Sequence, residues 1–120
     1  MKIMITVLFM HLALISFAQG DTLTARKAKS QTGKEVIVKA VVAGSKLIEK
    51  DGNRILILSL DKPNPKTSLM IVFFNKSLAD LNPQYLLDGK TIVVKGRVTT
   101  YDGRSQIIVN DVENFKVVSN

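Results

Sequence analysis

The side chains that most often act as nucleophile, general base or soft metal ligand near neutral pH are nearly missing from this chain of 120 residues. It has no cysteine, and its one histidine, His11, lies in an apolar N-terminal run that the mature protein is expected to lack. That removes Ser-His and Cys-His pairs and the common zinc, copper and haem ligand sets. Paired carboxylates remain as a route to acid–base catalysis. The ten acidic residues are scattered, however, and most stand beside Gly, Asn or Lys in turn-like stretches such as Asp51-Gly52, Asp88-Gly89 and Asp102-Gly103. The sequence points away from an enzyme, and no catalytic residue, metal ligand or cofactor is assigned.

What remains is the chemistry of charge. Seventeen Lys and Arg stand against ten Asp and Glu, a formal net charge of +7, which becomes +6 without Lys2. A small domain so charged is drawn to polyanions: nucleic acid, phosphorylated lipid headgroups or acidic polysaccharide. Charge that only keeps a domain soluble looks the same in a composition. The positions of the cations must decide, and those depend on the elements that carry them.

Residues 1–18 (MKIMITVLFMHLALISFA) read as a signal peptide: Lys2, an apolar run from Ile3 to Ile15, then small residues at Ser16 and Ala18 for cleavage before Gln19. The run is shorter than the ~20 residues of a spanning helix, which weighs against the alternative of an uncleaved anchor. A periplasmic or secreted protein is expected. Without cysteine it has no acylation site for a lipoprotein and no disulfide, so an apolar core must hold the fold alone. Residues 19–32, polar with Arg26, Lys27 and Lys29, are expected to form a flexible basic arm. The domain proper is expected over 33–118.

From Gly33 onward the apolar pattern has a period of two. Val36, Val38, Ala40 and Val42 alternate with Glu35 and Lys39, and Gly44 offers a bend or bulge point. Asp51-Gly52-Asn53 signals a hairpin, with Gly and Asn supplying positive φ. Arg54–Leu60 returns with Leu56, Leu58 and Leu60 on one face. Asp61–Lys66, with its prolines, breaks the ladder before a third strand over Ser68–Phe74. Asn75 is placed to cap a short helix over Ser77–Leu81, ended by Asn82-Pro83. Thr91–Thr100 is the clearest strand, with Ile92, Val94, Gly96 and Val98 opposing Val93, Lys95, Arg97 and Thr99. Asp102-Gly103 marks a second hairpin into Ser105–Val109. Asn110-Asp111 then kinks the chain ahead of a final extended stretch, Glu113–Val118.

Three strands, a short helix and two strands make the layout of an all-β, five-stranded OB-fold, a Greek-key barrel with its helix between strands three and four. Closure removes edges that so Ile/Val-rich a chain would otherwise expose. A small open β-sandwich is the rival layout.

Leu87-Asp88-Gly89-Lys90-Thr91-Ile92-Val93-Val94-Lys95-Gly96-Arg97-Val98, followed by Tyr101-Asp102-Gly103-Arg104 and Ile107-Ile108-Val109-Asn110-Asp111, resembles the strand-four and strand-five hairpin of bacterial OB-fold domains of the nucleic-acid-binding, anticodon-binding-like type. Similar domains occur in exported proteins, sometimes attached to nuclease-like domains. The likeness is good over Phe73–Val117 and loose over Gly33–Leu69. Val112, where such domains often carry proline, and Lys62-Pro63-Asn64-Pro65, where they tend to have a glycine-rich loop, depart from the pattern. These motifs mark architecture and turns. The resemblance implies binding of single-stranded nucleic acid or another polyanion, and leaves the ligand open.

Single-strand binding on such a barrel requires a basic groove and aromatic faces for stacking, across strands two and three and between the one–two and four–five loops. The candidates are Lys46, Lys50 and Arg54 around the first loop, Arg104 by the second, Lys95 and Arg97 on strand four for a phosphate track shared with Lys39, and Tyr101 for stacking. Strand two presents Ile55, Ile57 and Ser59 outward, none of them aromatic. Of Phe73 and Phe74 at least one must face the core, while Tyr85 and Phe115 are expected to plug the barrel ends. The Ile55/Ile57 pair keeps another class open: an exported module that binds a protein, an oligosaccharide or a small anionic ligand. A structural domain of an envelope assembly is the third.

Overall fold

The computed structural model describes residues 21–81 and 87–119. The signal peptide expected over 1–18 therefore lies outside the described residues, as do Asn82-Pro83 and Tyr85. The elements in chain order are α1 (Ala25–Ala28), β1 (Glu35–Lys50), β2 (Asn53–Leu60), β3 (Leu69–Phe74), α2 (Asn75–Asp80), β4 (Thr91–Tyr101), β5 (Arg104–Val109), a 3₁₀ turn (Val112–Asn114) and β6 (Phe115–Ser119).

One long strand closes the ring. Glu35–Val41 of β1 pair antiparallel with β4, and Val42–Lys50 pair antiparallel with β2. The changeover falls at a register shift between Val42 and Gly44. A bulge there lets one strand serve both halves of a curved barrel, as expected from Gly44. β3 pairs antiparallel with β2 and parallel with β5, and β5 pairs antiparallel with β4, completing the circuit.

Six strands form, not five. The reason lies in how β4 is covered along one edge: Val98–Tyr101 bond to β5, and Thr91–Val94 bond to β6. The kink expected at Asn110-Asp111 divides what is in effect one returning strand. Asp111 accepts a hydrogen bond from the Glu113 N–H (2.9 Å) as the chain turns through the 3₁₀ segment. The final stretch, read from sequence as merely extended, thus becomes a paired strand. It delivers Phe115 to the core, where its ring meets Phe73 edge-on at 5.0 Å and 89°.

The core is the inward parity of the barrel: Val38, Leu56, Leu58, Ile71, Phe73, Val94 and Ile107 are fully or almost fully buried, with Leu78 of α2 beside them. The arm expected over 19–32 is not free where it is described. The Leu23 N–H donates to the Ile37 carbonyl (2.8 Å) and its carbonyl accepts from Lys39 (3.0 Å). Thr24 caps α1, its hydroxyl accepting from the Lys27 N–H (3.2 Å), and Ala25 and Ala28 are fully buried. Two alanines one helical turn apart make a small apolar face that the polar composition of the segment hides.

The helix between β3 and β4 is also capped differently from expectation. Phe74 is the N-cap residue, and its N–H donates to the Ser77 hydroxyl (3.1 Å). The Asn75 side chain turns back to the β1–β2 hairpin instead. Its Oδ1 accepts from the Arg54 N–H (2.7 Å), and its Nδ2 donates to Asn53 (3.1 Å).

Candidate functional site

The outward face of β2, β3 and β5 forms the floor of a groove of about 730 Å³, within the size range of ligand sites. Period-two alternation builds it, since every residue next to a core residue on these strands points outward. The strand register sets the floor out in cross-strand rows. Lys46, Ile57, Val72 and Ile108 lie in line across β1, β2, β3 and β5. Ile48, Ile55 and Phe74 form a second row, towards the β1–β2 turn. Gly44, Ser59, Met70 and Gln106 form a third, on the other side of the first.

The rim is polar. Asp102 (φ 53°) and Gly103 (φ 77°) make a two-residue turn with both central φ values positive, the conformation that closes a tight hairpin. That turn places Tyr101 and Arg104 opposite each other across β4 and β5. Tyr101 is 69% exposed and borders the groove. The Arg104 guanidinium donates to Asn64 Oδ1, which ties the hairpin to the β2–β3 loop along the same rim. Aromatic rings thus stand at both ends of the groove, Tyr101 at one and Phe74, 40% exposed, at the other.

The seven candidate residues divide between places. Lys46, Tyr101 and Arg104 line the groove. Lys50 and Arg54 sit at the β1–β2 hairpin, Lys50 opposite Asn53 and Arg54 opposite Glu49, with the Arg54 Nε 2.9 Å from the Glu49 carboxylate. The β1–β2 turn itself uses Asp51 (φ 55°) and Gly52 (φ 82°), whereas Gly52 and Asn53 were expected to supply the positive φ values. Lys95 and Arg97 lie on the β1–β4 wall, opposite Ile37 and Glu35. Lys95 lines a smaller cleft there with Asp21 and Leu23, and Arg97 donates to the Gly33 carbonyl. The groove lining therefore carries two cations, Lys46 and Arg104, and one anion, Asp102.

Sequence reasoning passed over Phe74, which could have gone to either face. The signal that decides it is parity: Leu69, Ile71 and Phe73 are core, so Met70, Val72 and Phe74 face the groove. Gln106 and Ile108 follow from the same rule on β5, where Ile107 and Val109 are buried. Among the described residues no group of three or more His, Cys, Asp or Glu could hold a metal ion. No helix among them is long and apolar enough to cross a membrane.

No family model matches the chain, and no curated protein matches it in sequence. Solved structures do match it. A domain of replication protein A from Methanococcus maripaludis is similar at a TM-score of 0.56 and 16% identity, over 82% of this chain and 97% of that one. RecG bound to a three-way DNA junction matches at 0.53 and 19%, over 83% of this chain. The yeast Stn1 and Ten1 structure matches at 0.52 and 19%, over 72%. The chain spans only 12% of the RecG chain and 43% of the Stn1–Ten1 one. At these identities the likeness is one of fold: the domain is an OB-fold.

Proposed function

We propose that this chain is an exported OB-fold protein that binds single-stranded nucleic acid in the groove across β2, β3 and β5. The observation that carries the reading is one open groove with an exposed aromatic ring at each end, Phe74 and Tyr101, and a cation at each side, Lys46 and Arg104. Every base has a π face, so stacking on such rings holds a strand without demanding a sequence, at ~1–3 kcal/mol per base. The apolar rows of Ile55, Ile57, Val72 and Ile108 keep the floor dry beneath the bases, and the cations take phosphates.

Structural neighbours agree with the reading. RecG in the matched structure is bound to a DNA junction, and the archaeal neighbour is a domain of a replication protein. Export rests on residues 1–18 and predicts a mature N-terminus at Gln19 in the periplasmic or secreted fraction. Sequencing the N-terminus tests it, and full-length chain with Met1 in washed membranes would reject it. Ultraviolet crosslinking of a single strand should mark Phe74 or Tyr101. Crosslinks confined to the β1–β4 wall would reject this groove.

A second reading, a protein ligand, is favoured by the aliphatic floor. An extended peptide could lay alternate side chains on Ile55, Ile57 and Val72.

A further inference from the structure

Across the paired stretches of β2, β3 and β5 the groove floor is apolar except in one row. Ser59 on β2 and Gln106 on β5 flank Met70, and all three line the groove. Both polar side chains are nine-tenths buried, at 6% and 9% exposed. Neither makes a hydrogen bond to another side chain or to the backbone among the described residues. The Gln106 contact to Thr99 uses its backbone carbonyl alone. Every other outward position on β2 from Ile55 to Ser59, and on β3, is apolar. The polar atoms of Ser59 and Gln106 nevertheless keep contact with the groove, since none of them is a fully enclosed side-chain atom without a partner. A hydroxyl and a carboxamide set in an aliphatic floor thus present donors and acceptors to whatever fills it. A few polar groups placed in an otherwise apolar groove are where a ligand is oriented.

We propose that Ser59 and Gln106 grip the two edges of a single nucleobase lying over Met70, which makes this row the base-reading part of the groove. The inference rests on the nucleic-acid reading above. A carboxamide presents a carbonyl acceptor and an amide donor side by side, the pattern that matches neighbouring donor and acceptor groups on a base edge. A serine hydroxyl both donates and accepts, so it serves the opposite edge whichever base is present. The Met70 thioether offers a polarisable surface for the ring face between them. Two strand spacings separate the β2 and β5 backbones, about 10 Å, which leaves room for one ring system with a hydrogen bond at each side. The row lies between the Tyr101–Arg104 hairpin and the central Ile57–Val72 row, so a strand running from Tyr101 to Phe74 must cross it.

The test compares two labelled strands of about eight nucleotides, within the ~4–16 that one OB-fold covers. One is a mixed-sequence oligodeoxynucleotide, and the other is the same backbone with every base replaced by hydrogen. Wild type, Gln106→Leu and Ser59→Ala proteins are titrated with each, and each protein is melted. Gln106→Leu should weaken the base-bearing strand about tenfold, the size of one lost base contact, and leave the abasic strand unchanged. Its melting temperature should stay close to wild type, because the carboxamide makes no hydrogen bond within the described residues that the substitution would break. Ser59→Ala should act in the same direction. Equal affinity of wild type and Gln106→Leu for the base-bearing strand, or an equal loss on both strands, overturns the assignment while leaving the groove a nucleic-acid site. Failure of wild type to bind either strand overturns both readings together.

Discussion

A Cβ built on Gly96 would stand 2.5 Å from Cγ2 of Ile107, the buried residue on the neighbouring strand β5. Ile107 is β-branched, hence stiff at χ1, and fully buried, so little room is left for it to give way. Replacing a strand glycine normally recovers ~0.5–1 kcal/mol of backbone entropy. Here the overpacking cost of ~1–3 kcal/mol is the larger effect. Gly96→Val should therefore destabilise the domain by about 1–3 kcal/mol in denaturant melts, and a neutral result would mean that β4 and β5 do not approach this closely.

The sixth strand makes a prediction of its own. Phe115 is buried and packs edge-on against Phe73. If Phe115–Ser119 were loose tail, Phe115→Ala would cost almost nothing. Seated as it is, the substitution should cost ~3–5 kcal/mol, the range for deleting a core aromatic. Thermal or denaturant unfolding distinguishes the two.

Leu23 and α1 lead to a similar test. A chain that begins at residue 33 loses the two Leu23 backbone bonds to β1 and the buried faces of Ala25 and Ala28. It should melt below a chain that begins at residue 21, and protease should cut the longer chain no faster between 23 and 30 than at its hairpin turns. Rapid trimming of that segment would restore the picture of a flexible arm.

The barrel was legible in the sequence because its devices are local. Alternation picked out Leu56, Leu58 and Leu60 as core, Asp102-Gly103 specified a tight turn, and Gly44 marked the bend where β1 changes partners. What escaped is non-local. Nothing around Phe115 states that its strand will extend the edge already begun by β5. Asn75 has the composition of a cap, but its side chain finds a partner 21 positions away in Arg54. Of the candidates, Lys46, Tyr101 and Arg104 come together along the groove, whereas Lys50 and Arg54 stay beside the β1–β2 turn. Lys95 and Arg97 share an outward parity with groove residues, yet the β1–β4 wall faces elsewhere, and only closure of the barrel reveals that. Phe74 was ambiguous because β3 is apolar on both faces, so alternation had no polar residue to fix its phase.

Phosphate contacts leave a salt signature. For single strands, log K falls with log salt at about 0.7 per contact. Lys46→Gln with Arg104→Gln should flatten the slope by about 1.4, two such contacts, and weaken all sequences alike. Lys95→Gln with Arg97→Gln makes the same change in net charge on the other wall and should leave the slope nearly unaltered. An equal effect from both pairs would mean that binding follows overall charge and not this groove.

Stacking and charge should separate cleanly. Phe74→Ala and Tyr101→Ala are each expected to cost about 1–3 kcal/mol of binding while leaving the salt slope as it was. Both side chains are substantially exposed, so the variants should fold as wild type does.

Titration of the mature protein with a fluorescently labelled single-stranded oligonucleotide at low salt tests the central claim most directly. Saturable binding at micromolar protein or below, weakened by added salt and by loss of Phe74 or Tyr101, is the predicted result. No binding at tens of micromolar protein would contradict it, and the aliphatic groove would then have to be read as a seat for a peptide.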